Sequence, residues 1–369
     1  MHSNNLLSLP LKFYIHTTVV LTYSYLVLMK KIASVHSLGD IFKLLDDGPT
    51  LSKELRESAL QRQKNLLKPA NSLGQLEDIA VFLSSWGKKT MKDMEKISTI
   101  VFAGNHGVCR QSVNPFPQEV TFQMVETFKS GKAAINKICE LNGINLEVIP
   151  IDLDKPTADI SVGPAMDETE FLDAFNIGLS AVSESMDLIT LGEMGIGNTT
   201  IASALCYHFF NNEVSSWVGP GTGSTQNQII HKGEIIEKAV KINKQSIGRP
   251  LQAGVVLGGR EQAAICGAVV AAKHYSVPVI LDGFICTAAV LPIFFERRDI
   301  LDHCLIGHSS KEPGHQLLLK MLKKKPILNL DMALGEGSGA ALATSIAKAA
   351  FKCHVEMATF EDAGVSGKQ

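Results

Sequence analysis

No Cys-x-x-Cys pair, and no cysteine–histidine cluster with metal-ligand spacing, occurs in the 369 residues. That excludes zinc-ribbon and thioredoxin-type motifs, and no metal is expected. The seven cysteines, at 109, 139, 206, 266, 286, 304 and 353, stand singly. They read as reduced, small apolar residues of a cytoplasmic protein. Strong charge is also lacking: the formal net charge is −2, whereas a nucleic-acid binder carries a basic footprint, so no nucleic-acid partner is expected. Long apolar runs are scarce. The apolar-rich stretch 6–29 is broken by Lys12 and His16, and its cleanest part, 19–29, is too short to span a bilayer. Lys30 and Lys31 follow that run, whereas a signal peptide carries its basic residues before it. Residues 1–28 therefore read as a poorly ordered or mis-started extension, with Met29 the working start and no membrane partner. Repeats and low-complexity tracts are missing too, which removes solenoids and linkers.

What remains is the composition of an ordinary globule, 45% hydrophobic and 20% charged. At this length a large domain with a smaller companion is the natural organisation. Between Asp40 and Glu95 the apolar spacing is helical, over 51–66 and then 76–86, where Ile79, Ala80, Phe82 and Leu83 share a stripe. Beyond it, short β-branched runs alternate with helical stretches. The runs are 97–103, 146–151, 188–191, 277–281, 304–306 and 327–330. Runs of this kind, buried on both faces, predict an α/β fold with a mostly parallel sheet flanked by helices. Ligands of such sheets gather outside the carboxyl ends of the strands, so the loops leaving the strands are where chemistry should lie.

Three of these loops are rich in glycine. The first, Gly192-Glu193-Met194-Gly195-Ile196-Gly197-Asn198-Thr199-Thr200, opens a helix over 201–210. Its glycines and hydroxyls suit a phosphate at a helix N-terminus; the alternative is a tight turn with Thr199 as N-cap. No Gly-Lys-Ser/Thr follows, so it is not a P-loop. The second, Gly219-Pro220-Gly221-Thr222-Gly223-Ser224, precedes Lys232, which supplies a point charge to the same phosphate or only solvates a helix surface. The third, Leu334-Gly335-Glu336-Gly337-Ser338-Gly339, sets a carboxylate between glycines ahead of a helix over 340–351. Glu336 either complements the positive end of that helix or acts as a general base with its pKa raised by apolar neighbours Met332, Ala333 and Leu334. His106, His308 and His315 read as satisfied loop residues, and Asp282 as a ribose-binding or structural acid.

Taken together, the loops resemble the nicotinate-nucleotide:dimethylbenzimidazole phosphoribosyltransferase family of cobalamin nucleotide-loop assembly. The matching segments are Lys68-Pro69-Ala70-Asn71-Ser72-Leu73-Gly74-Gln75-Leu76-Glu77, Asn105-His106-Gly107-Val108, Val120-Thr121, Val162-Gly163-Pro164-Ala165-Met166, residues 192–200, Leu281-Asp282-Gly283-Phe284 and residues 334–341. They run in family order from about residue 60 to 350, and Leu-Gly-Glu-Gly-Ser-Gly-Ala-Ala is the most specific. The resemblance implies a Rossmann-like large domain over 96–335 and a smaller helical domain made of 29–95 and 336–369, assembled as a homodimer. It also implies the substrates, nicotinate mononucleotide and a benzimidazole base, with no cofactor. Glu336 then takes the position of the catalytic carboxylate and Glu193 that of a second functional acid. Gly195, Gly197, Asn198, Thr199, Thr200, Gly221, Thr222, Gly223 and Lys232 fall where the nucleotide phosphate is held, and Phe116, Met124 and Leu334 where the base sits. Some members carry Ser and Gln at the positions of Phe116 and Met124; here a flat aromatic base can stack on Phe116. The segment 152–161 is shorter than the family's usual connection.

Two other classes compete. A non-catalytic nucleotide sensor would keep the phosphate loops and lose turnover, against which the intact Glu336 loop speaks. A nicotinamide-dependent oxidoreductase would need a Gly-x-Gly-x-x-Gly opening the first βα unit, with an acid about twenty residues on, and none is present.

Overall fold

The computed structural model describes residues 32–87, 93–221 and 223–366. The expected extension 1–28 and Thr222 lie outside the described residues. Six strands, β1 Ile97–Ala103, β2 Asn145–Pro150, β3 Leu188–Met194, β4 Val279–Leu281, β5 Cys304–His308 and β6 Pro326–Leu328, form one parallel sheet in the order β2-β1-β3-β4-β5-β6. Each predicted run is a strand. The expectation of burial on both faces holds for β1, β3 and β4 and fails for β2 and β6, which are half exposed. Those two are the sheet edges, where one flank has no neighbouring strand to cover it.

Alternate side chains of the strands feed two cores, as the period of two requires. Ile100, Phe102, Ile189 and Leu191 enter the core beneath helices Glu168–Ala181, Asn198–Phe210 and Arg260–His274. Val101, Ala103, Leu188 and Ile280 enter the other, covered by helices Gln75–Trp86, Ala134–Asn142 and Ser338–Glu356. The last of these helices presents Ala340, Ala343, Ala347 and Ala350 to the sheet, small residues that let it lie close.

The N-terminal helices begin where capping chemistry places them: Ser52 accepts from the Leu55 amide at 3.2 Å and starts Lys53–Asn65. Arg62 of that helix donates to the carbonyls of His354, Val355 and Met357 at 2.5, 2.9 and 3.3 Å. It thereby satisfies groups that the end of a helix leaves without intrahelical partners. A bridge between Leu66 and Thr359 extends the same contact. The order of strands reverses between β1 and β3, and the crevice outside their carboxyl ends is where a doubly wound sheet binds ligands.

Candidate active site

The loops after β3, β4, β5 and β6 converge on one narrow cleft of about 80 Å³. Its walls include Glu193, Gly195, Asn198, Thr199, Gly221 and Asp282. His308, Ser310, Glu312, Leu334 and Glu336 complete them. A larger hollow, about 450 Å³, lies between helices Lys53–Asn65 and Gln75–Trp86 and touches none of the glycine loops.

Glu336 stands in left-handed backbone, φ +63°, between Gly335 at +80° and Gly337 at +79°. A non-glycine residue there costs of order 1–3 kcal/mol and persists only where its surroundings hold it. Here they do. The Glu336 amide donates to the Glu193 carboxyl beneath it, and Gly335 lies so near that an added Cβ would meet Glu193 Oε1 at 2.7 Å. Gly337 and Ala340 donate their amides to Asp282 at 3.2 and 2.8 Å. Asp282 thus caps the last helix and also lines the cleft. Burial, and then the charge of Asp282, push the Glu336 carboxyl up to about 7.

Glu193 is the penultimate residue of β3 and is 3% exposed. Burial raises its carboxyl well above the ordinary range, and the charges of Asp282, Glu261 and Glu336 add to the effect. It takes the side-chain amide of Asn198 as a further partner. Two neighbouring carboxyls are therefore both raised, Glu193 by burial and surrounding negative charge and Glu336 by burial and Asp282, and a carboxyl raised toward neutrality is what a general base requires.

The first glycine loop opens the helix Asn198–Phe210, with Gly197 at φ +94° as the cap residue. The expectation of Thr199 as N-cap is therefore incorrect: the loop's left-handed turn is completed at glycine, and the helix starts two residues earlier. Thr199 faces the cleft, whereas Gly197 and Thr200 stand behind its wall. The second loop lies over this helix start. A Cβ on Gly221 would be 3.3 Å from Thr199 Oγ1 and 3.7 Å from Lys232 Nζ. Lys232 is 1% exposed and donates to the Gly219 carbonyl at 3.4 Å, so it is not a surface-solvating lysine. Burial lowers its pKa, and the nearby Glu312 carboxylate opposes that.

Three expected site residues are placed elsewhere. Gly223 is exposed and outside the cleft wall. Phe116 is 46% exposed on the turn before helix Glu119–Lys129, and Met124 of that helix packs against the second core. Neither lines the cleft, although that helix stands beside the first glycine loop, with Thr121 Oγ1 accepting the Ile196 amide at 3.0 Å. The apolar wall near Glu336 comes instead from Ala333, Leu334, Phe284 and Ile285. Reading the sequence also passed over Glu312 and Glu261. Glu261 is fully buried, 3.1 Å from His106 Nε2, directly behind Gly195; its only signal was a charge following the pair Gly258-Gly259.

A phosphate-type helix start, a buried lysine and a tunable carboxyl at the carboxyl edge of a parallel sheet define a nucleotide-handling transferase. A family model described as Phosphoribosyltransferase matches residues 49–365. The chain is 46% identical to the nicotinate-nucleotide–dimethylbenzimidazole phosphoribosyltransferase of Rhodobacter capsulatus over 90% of this chain and 99% of that one. It is 46% identical to the enzyme of the same name from Brucella anthropi, over 87% and 94% of the two chains. The crystal structure of CobT from Thermus thermophilus superposes with a TM-score of 0.79 at 34% identity, covering 85% of this chain and all of that one. The chain belongs to the nicotinate-nucleotide–dimethylbenzimidazole phosphoribosyltransferase family.

Proposed function

We propose that this enzyme moves the phosphoribosyl group of nicotinate mononucleotide onto 5,6-dimethylbenzimidazole or a related base. The products are α-ribazole 5′-phosphate and nicotinate, in the making of the cobalamin lower ligand. The observation that carries the site assignment is Glu336, a cleft-facing carboxyl set near 7 by burial and Asp282. One ring nitrogen of the base attacks C1′ while Glu336 takes the proton from the other. The bond from C1′ to nicotinate breaks with its electron pair staying on the leaving ring, so no strong acid is needed. Attack opposite the leaving group gives the α-riboside.

Glu193 accepts the Glu336 amide, keeps that backbone in place and serves as the second functional acid. Asn198, Thr199 and Gly221 hold the phosphate from the cleft wall, backed by Lys232. Leu334 and its apolar neighbours receive the flat base. Much of the rate then comes from fixing two substrates in one geometry. On the same family grounds we read the chain as a cytoplasmic homodimer, with segments 29–95 and 336–369 forming a smaller domain. Arg62 and its three carbonyl partners support that last reading, and light scattering of the purified protein tests the dimer.

The direct test is to incubate the purified protein with nicotinate mononucleotide and 5,6-dimethylbenzimidazole. Nicotinate and α-ribazole 5′-phosphate should appear in equal amounts. Binding of the nucleotide with no nicotinate released would contradict the proposal and favour a sensor.

A further inference from the structure

The end of the cleft assigned to phosphate is already filled by an acidic side chain. Glu312, 7% exposed, reaches across from the turn after β5, and its Oε1 accepts the Gly221 amide at 2.8 Å. Its other oxygen is packed so tightly that a Cβ on Gly219 would overlap it. The turn that carries it is braced. The Glu312 amide donates to Ser310 Oγ at 3.1 Å, the Ser310 amide to His315 Nδ1 at 2.9 Å, and His315 Nε2 lies 3.3 Å from Thr287 Oγ1. Burial raises the Glu312 carboxyl above its usual value, and the Lys232 charge and the Gly221 amide offset only part of that rise. Each of the two groups thus favours the other's charged form against the burial that opposes it. Glu312 also takes up room: the cleft's 80 Å³ is far below the roughly 300 Å³ at which small-molecule sites begin.

We infer that Glu312 is a built-in stand-in for the nucleotide phosphate, occupying the Gly221 amide and the field of Lys232 until the nucleotide displaces it. The inference rests on the phosphate assignment made under Proposed function. Two anions drawn to one amide and one buried ammonium repel strongly at contact distance in a low-dielectric site. Displacing the carboxylate therefore weakens nucleotide binding below what the loops alone would give. The penalty falls on the phosphate and leaves the base site untouched.

Calorimetric titration of the full-length enzyme tests this, using nicotinate mononucleotide and, as the probe lacking phosphate, nicotinate riboside. Glu312→Gln keeps an acceptor for Gly221 and removes the charge. Its Kd for the mononucleotide should fall by about 5- to 10-fold, a modest share of the charge repulsion, with riboside binding unchanged. Equal or weaker mononucleotide binding overturns the inference, as does tightening that extends equally to the riboside. Thermal melting reports whether the variant is folded; should it not be, Glu312→Ser removes the same charge and is read in the same way. Lys232→Met in the parent separates the two claims. If it leaves mononucleotide affinity unchanged, the phosphate assignment falls and this inference with it. If it weakens binding while Glu312→Gln fails to tighten it, the inference alone falls.

Discussion

A base works only in its ionised form, so a carboxyl lifted from 4.5 to about 7 ties turnover to pH in one direction. With Glu336 as the base, kcat should rise as pH climbs through about 7 and level off above it, read from saturating assays between pH 5.5 and 8.5. A flat profile with chemistry limiting would count against the assignment. Stability should move the other way. A raised carboxyl favours the folded state while protonated; that contribution is complete below the unfolded value and is lost as pH rises through the folded one. Glu336→Gln, neutral at every pH, should therefore lose less Tm between pH 5 and 8 than the parent does. Glu336 stood out in the sequence as a carboxylate between glycines, but whether it partners the helix end or acts as base stayed open there, and the family resemblance pointed to the second reading. Glu312 and Glu261 did not stand out, since each sits at an ordinary helix start and gains its meaning only from a distant partner, Gly221 for one and His106 for the other.

At the scale of elements, the placement of Glu336 depends on how closely the last helix meets β3. A side chain on Gly192 would overlap the backbone of Glu336 and Gly337. Gly192→Ala should thus cost about 1–3 kcal/mol, the usual penalty of overpacking, and lower kcat well beyond its effect on nucleotide affinity. Parent-like kcat in a denaturation-matched variant would show that this contact does not position the base. The strands themselves were readable from their β-branched runs. The end of β3 was not: Gly192 and Glu193 have no strand propensity, and only pairing with Val101 and Phe102 keeps them in the sheet. The helix start after it was misplaced for a related reason, because Gly197 closes the turn that Thr199 was expected to cap.

For the molecule as a whole, the two ends of the described chain are fastened to each other by helix packing and by hydrogen bonds. Arg62 makes three of those bonds, to carbonyls that would otherwise end a helix unpaired. Arg62→Ala should lower Tm, at roughly 1–3 kcal/mol for the unsatisfied groups, while leaving kcat within about twofold, since none of its partners lines the cleft. A collapse of kcat with unchanged Tm would show that the ends act on the site directly. Such long-range fastening carries no local pattern: periodicity reached the helices, and only the family resemblance joined the two ends. On the proposed reading, the six strands, their loops and the two terminal segments serve one outcome, a carboxylate beside an aromatic nitrogen and an anchored ribose phosphate. Single-turnover transfer with both substrates saturating measures that outcome most directly. Glu336→Gln should still bind the nucleotide yet form α-ribazole 5′-phosphate at least roughly 100-fold more slowly than the parent, and transfer at the parent rate would contradict the account.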